Sequence, residues 1–118
     1  MLHDVRRLRV VAAVLVALAL QQVLLIDEVR AVYLEFDKWV HALSFFFLTL
    51  LFYWALALRP VWMFALMLML GVLDETAQLF WPGRTASLGD WLADAVGSGL
   101  AVFCLLLRLR LHGDARRV

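Results

Sequence analysis

Four apolar stretches separated by short polar breaks dominate this chain of 118 residues. They lie near Val10–Ile26, Trp39–Leu58, Val61–Phe80 and Leu88–Leu107. Crossing the hydrocarbon core of a bilayer takes about 20 apolar residues in helical form. Lipid offers the backbone no hydrogen-bond partners, so such stretches satisfy themselves as helices. Composition agrees: 65% of the residues are hydrophobic, against roughly 45–50% in soluble domains, and the mean hydropathy is +0.88. A soluble domain of this size has too little interior to hide that surface. Disorder, a fibrous repeat and a basic nucleic-acid binder are excluded, and no nucleic-acid partner is expected. The reading is an all-α, polytopic integral membrane protein: one domain over residues 1–118, built as a four-transmembrane-helix bundle.

Local signals refine the four stretches. Pro60 stands just before the third, where a helix start tolerates proline. Trp81-Pro82-Gly83 reads as a stop and turn. Trp39, Trp62, Trp81 and Trp91 lie near span ends, as interfacial aromatics do. Between the first two stretches, Val29, Val32, Tyr33 and Phe36 repeat at helical spacing and predict a short interfacial helix. The first stretch is short and carries Gln21 and Gln22 late. Arg6, Arg7 and Arg9 ahead of it, with Ala17-Leu18-Ala19 inside it, also fit a signal peptide; retained span and cleaved signal stay open. The single cysteine, Cys104, excludes an internal disulfide and a Cys-based zinc site, and is read as a small packing residue. Phe45-Phe46-Phe47 and the Met63, Met67 and Met69 cluster are read as lipid-facing or packing residues.

Basic residues set the orientation. With the N-terminus inside, the inner segments hold Arg6, Arg7, Arg9, Arg59, Arg108, Arg110, Arg116 and Arg117. The outer segments hold Arg30, Lys38 and Arg84. Positively charged loops favour the cytoplasmic side, which predicts N-in and C-in.

At 100° per residue, the last three spans each carry a polar or small stripe. Asp37, His41 and Ser44 share one face of the second. Gly71, Glu75 and Gln78 share one face of the third, with Asp74 to one side. Asp90, Asp94 and Gly97 share one face of the fourth, continued by Ala101. In the predicted orientation these groups lie at similar depth in the outer half of the bilayer. A charge at the bilayer centre costs on the order of 3 kcal/mol or more, so such groups face protein or water. The simplest arrangement is one acid–base network, with Lys38, Arg84 and His41 as partners of Asp74, Glu75, Asp90 and Asp94. Simpler roles exist for some of them. Asp37 and Lys38 also fit a solvated pair at a helix start, and His41 also fits a hydrogen bond holding the second helix to the fourth. Gly89, Ala93, Gly97 and Ala101 recur every four residues, a spacing that permits close helix approach. This stripe serves packing within the chain or contact with a second copy, and the sequence does not choose.

His41, Glu75, Asp90 and Asp94 are donor types for a metal, but no close ligand spacing such as H-E-x-x-H exists, and no metal or cofactor is assigned. Ser44, Ser87 and Ser98 lack a nucleophile-elbow context.

The ordered set Asp37-Lys38-Trp39-Val40-His41, Glu75-Thr76-Ala77-Gln78, Arg84 and Asp90–Gly97 resembles the VanZ-like membrane protein family, named for a teicoplanin-resistance protein. The pattern there is Asp-Lys-x-x-His at a helix start, a Glu-x-x-Gln helix, an Arg loop and an Asp-x-x-x-Asn-x-x-Gly helix. The resemblance covers about residues 35–100. Asp94 stands where the family usually has Asn. The resemblance implies a small multi-pass protein of the bacterial cytoplasmic membrane, linked in some members to glycopeptide resistance and the cell envelope.

Three functions follow as expectations. The first is a polar site open to the outer leaflet that binds or processes an anionic or polyhydroxylated headgroup, such as a lipid-linked cell-wall precursor. Lys38 and Arg84 would contact the anion, Asp37 and Asp90 would complete the binding set, and Glu75 and Asp94 would position the ligand or serve as acid and base. His41 and Gln78 would orient them. The second is proton-coupled transport through the intramembrane acids; against it, the inner half of the spans reads as apolar. The third is a non-catalytic packing or partner module.

Overall fold

The computed structural model describes residues 1–23, 27–80, 86–114, 116 and 118, and the side chains of these except 18, 20–23, 27–35 and 37. The chain is all-α. Four helices run in the order α1 (Leu2–Val23), α2 (Asp27–Leu56), α3 (Pro60–Gln78) and α4 (Leu88–Leu111). Three segments are long and apolar enough to cross a membrane: Lys38–Leu56, Pro60–Gln78 and Leu88–Leu111. Helix α1 is not among them. It starts eight residues before the predicted apolar stretch and takes in Asp4, Arg6, Arg7 and Arg9, while residues 24–26 of that stretch lie outside the described residues.

The predicted short helix ahead of the second span is helical, and it runs into the span without a break. A kink at Phe36 (φ −124°, ψ 24°) separates the two legs. Lys38 therefore stands just past a bend inside one long helix, not at a helix start. At its other end α2 stops at Leu56. Ala57 takes the left-handed conformation (φ 52°), uncommon for a residue with a Cβ, and its N–H closes the last turn on the Tyr53 carbonyl at 2.8 Å. Pro60 then opens α3 in its first turn, where its missing N–H costs no hydrogen bond.

Side-chain contacts fix the directions. Lys38, His41 and Ala42 of α2 meet Asp90, Asp94 and Gly97 of α4 in the same order, so these helices run parallel. Trp91 of α4 reaches back to Leu68 of α3, and α3 runs antiparallel to both. Arg6 donates to the Leu56 carbonyl at 2.6 Å and Arg9 lies 5.0 Å over the Trp54 ring, so α1 is antiparallel to α2. One end of the bundle thus carries Arg6, Arg9 and Arg59, and the other carries the polar residues of the stripes.

The aromatic and methionine clusters divide by face. Phe45, Met63 and Met67 form a buried core with Leu48, Phe52, Tyr53, Leu56, Leu66 and Leu70 packed on it. Phe47 and Met69 point outward. Cys104 is exposed, a correction to its reading as a packing residue: it lies off the face that Ala101 and Leu105 bury.

Candidate functional site

The polar end is assembled where α4 lies between α2 and α3. Its close approach to α2 depends on a missing side chain. A Cβ on Gly97 would sit 1.9 Å from the Ala42 carbonyl oxygen. Higher up, the Lys38 side chain crosses Gly89, where an added Cβ would lie 3.2 Å from Lys38 Nζ. Ala101 is fully buried. Gly97 and Ala101 of the small-residue stripe are thus enclosed by the chain itself, while Gly89 and Ala93 are partly exposed.

This approach brings the stripes of α2 and α4 into contact. His41 Nδ1 and Asp94 Oδ1 share a hydrogen bond at 2.8 Å, and both residues are buried. Its other ring nitrogen lies 3.9 Å from Asp90 Oδ2. Lys38 bonds Asp90 Oδ1 at 3.2 Å. Lys38 is more than half exposed, so that ion pair adds little stability and mainly orients Asp90.

Helix α3 supplies the third side. Gly71, Glu75 and Gln78 are all buried, with Asp74 partly so. Gln78 Nε2 donates to Asp74 Oδ2 at 3.1 Å. Glu75 Oε2 accepts from the Ser87 backbone N–H at 2.7 Å. Ser87 in turn caps α4, accepting from the Asp90 N–H at 3.3 Å. The carboxylate of α3 thereby fixes the entry of the chain into α4. Trp91 closes the space beside Gly71, where a Cβ would meet the indole at 3.0 Å, and its Nε1 donates to the Leu68 carbonyl at 3.0 Å.

The structure thus brings together His41, Glu75, Gln78, Asp90 and Asp94, with Lys38 at the rim. Arg84 and the Trp81-Pro82-Gly83 turn lie outside the described residues, as does the Asp37 side chain. Three roles escaped the sequence reading. Ser87 is a helix cap, legible in hindsight from the Ser-x-x-Asp spacing of Ser87 and Asp90. Trp91 is a clamp between α3 and α4 in addition to an aromatic near a span end. Thr49 and Ser98 are fully buried polar residues deeper in the bundle, where Thr49 bonds the Phe45 carbonyl of its own helix at 2.6 Å.

Two carboxylate oxygens stand out. Glu75 Oε1 and Asp94 Oδ2 are buried without a hydrogen-bond partner among the described residues. Next to Glu75, an open groove of about 350 Å³ is lined by Val72, Glu75, Thr76, Leu79, Ala86, Ser87, Leu88 and Trp91. Its walls are mostly apolar and its polar end is Glu75 with Ser87.

Residues 4–109 match the model of one protein family, described as VanZ/LLP1. The chain belongs to the VanZ/LLP1 family. With its three long apolar helices, this makes it a membrane protein and a VanZ-like envelope protein. No curated protein and no solved structure matches it. The residues that carry the VanZ resemblance are mostly those that meet here: Lys38 and His41 from one motif, Glu75 and Gln78 from the next, Asp90 and Asp94 from the last. The one departure from the family pattern, Asp94 in place of Asn, supplies one of the two unpartnered oxygens.

Proposed function

We propose that this VanZ/LLP1 protein is a multi-pass protein of the bacterial cytoplasmic membrane that binds a lipid headgroup at its polar end. All four helices cross, residues 1–118 act as one domain, and both termini face the cytoplasm. Grouping of Arg6, Arg9 and Arg59 at one end supports this orientation, because basic residues stay inside. The antiparallel packing of α1 on α2 supports α1 as the fourth span.

The observation that carries the binding proposal is the groove between α3 and the start of α4, apolar along its walls and ending on buried Glu75. That combination suits an amphiphile: acyl chain against Val72, Leu79, Leu88 and Trp91, headgroup against the carboxylates. Hydroxyls of a polyhydroxylated headgroup would donate to Glu75, the carboxylate that lines the groove. Lys38 and Arg84 would contact the phosphate of such a headgroup. A lipid-linked cell-wall precursor has both parts, and binding one would link the protein to glycopeptide (teicoplanin) resistance.

Protein reconstituted in liposomes and titrated with a lipid-linked cell-wall precursor should prefer it several-fold over plain phospholipid. Arg84→Ala should weaken that preference, and Val72→Trp should abolish it by filling the groove. Equal affinity for both lipids, unchanged in both variants, would sink the proposal.

A further inference from the structure

Among the described residues, two buried carboxylate oxygens of the polar end take part in no hydrogen bond. His41, Asp74, Glu75 and Asp94 each present one donor atom, and the four atoms lie within 4.8 Å of one another. A bound metal ion holds N and O ligands at about 2.0–2.2 Å, so opposite ligands of one ion stand roughly 4 Å apart. The four donors therefore fall within reach of a single coordination sphere after small side-chain adjustments. The set differs from the donor types picked out in the sequence: Asp74 joins it, while Asp90 is held by Lys38.

A cluster of acids alone would mean little, but two of its members point to a missing partner. Asp94 is 1% exposed and Glu75 is 7% exposed, yet Asp94 Oδ2 and Glu75 Oε1 have no hydrogen-bond partner among the described residues. Asp94 turns Oδ1 toward His41 on α2 and Oδ2 toward α3, 3.3 Å from where a Gly71 Cβ would be. Burying a carboxylate oxygen unpaired is costly, and buried charges in proteins are paired or coordinate metals. Gln78 donates to Asp74 Oδ2, the kind of outer contact that fixes a ligating carboxylate.

We propose that His41, Asp74, Glu75 and Asp94 bind one divalent cation of the Zn²⁺ or Mn²⁺ type. The imidazole argues against the all-oxygen sites that Mg²⁺ and Ca²⁺ prefer, and the lack of a thiolate argues against softer ions. This inference is independent of the lipid reading, since the ion needs no headgroup.

The test uses the full chain, purified in detergent and stripped with a chelator. Mn²⁺ is titrated while its free-ion EPR signal is followed, and Zn²⁺ is added as competitor. One Mn²⁺ or Zn²⁺ should bind per chain, and pulsed EPR of bound Mn²⁺ should carry a nitrogen coupling from His41. Glu75→Gln and Asp94→Asn should each weaken binding at least tenfold, whereas Asp4→Asn, exposed on α1 at the other end of the bundle, should leave it within about twofold. The nitrogen coupling is read on the wild-type chain, so it stands even if a variant fails to fold. Failure of both ions to bind would overturn the proposal. So would a bound Mn²⁺ without nitrogen coupling, or binding that Asp4→Asn weakens as much as Glu75→Gln does.

Discussion

His41 Nδ1 lies 2.8 Å from Asp94 Oδ1, in the buried seam where α2 and α4 run parallel. Two residues 53 positions apart in sequence thus join the middle of α2, just past its bend, to the last helix. Truncating His41 leaves Asp94 Oδ1 buried without this partner, which costs more than the bond itself contributes. His41→Ala should lower the unfolding free energy in detergent by about 2–3 kcal/mol. Asp94→Asn keeps an acceptor and should cost less than about 1 kcal/mol. A double-mutant cycle of His41→Ala with Asp94→Ala should return a coupling of about 1–2 kcal/mol, above the roughly 0.6 kcal/mol typical of interhelical polar pairs in membranes. Additive losses would mean the contact contributes nothing as a pair.

That seam exists because Gly97 has no side chain. Its Cβ would meet a backbone oxygen at 1.9 Å, and backbone in a packed helix cannot rotate away. Gly97→Ala should destabilise the protein by about 3 kcal/mol or more, by forcing α2 from α4. Gly99 is a control on the same helix. A Cβ there meets only Phe64 at 3.7 Å, an ordinary contact. Gly99→Ala should be neutral or stabilise by up to about 1 kcal/mol through helix propensity. Thermal melts followed by circular dichroism separate the two, and equal melting temperatures would contradict the close approach.

Much of this was legible in the sequence. Apolar length predicts helices, and helical periodicity places His41, Glu75, Gln78, Asp90 and Asp94 on inward faces, because an intramembrane charge has few other places to go. The sequence does not say which partner each inward residue finds. Asp90 and Asp94 share a face, yet one pairs with Lys38 and the other with His41, a division set by the register of two helices. The Ser87 to Glu75 bond is equally hidden, since it joins a backbone N–H to a side chain across a turn. Trp91 carries two meanings at once. Its position near a helix end suits an interface, and only packing reveals that its indole N–H is bonded to Leu68. Periodicity finds the helical leg up to Phe36 and the span after it, but not that the two join as one kinked helix, because the join depends on backbone angles at a single residue.

At the opposite end, Ala57 adopts φ 52° between α2 and α3. The left-handed region costs a residue with a Cβ about 1–2 kcal/mol, and glycine avoids that penalty. Part of the gain is offset by the greater freedom of glycine in the unfolded chain. Ala57→Gly should therefore raise the unfolding free energy by about 0.5–1 kcal/mol. Ala57→Val, β-branched at the same position, should lower it. A melting temperature that moves the other way in both variants would contradict the left-handed turn.

The contact between Glu75 and Ser87 governs how α4 begins. Glu75 Oε2 holds the Ser87 N–H at 2.7 Å, and Ser87 Oγ accepts from Asp90 N at 3.3 Å. The two bonds differ in what their loss exposes. Ser87→Ala removes only the cap and should cost about 1 kcal/mol. Glu75→Leu removes the acceptor of a partly buried N–H and leaves that donor unpaired, which should cost about 2 kcal/mol. Glu75→Gln retains a carbonyl acceptor and should fall below Glu75→Leu. Hydrogen exchange offers a local readout: the amides of Ser87 and Asp90 should exchange faster in Glu75→Leu, whereas Ser87→Ala should speed Asp90 alone. Equal protection at Ser87 in wild type and Glu75→Leu would show that α3 does not anchor the start of α4.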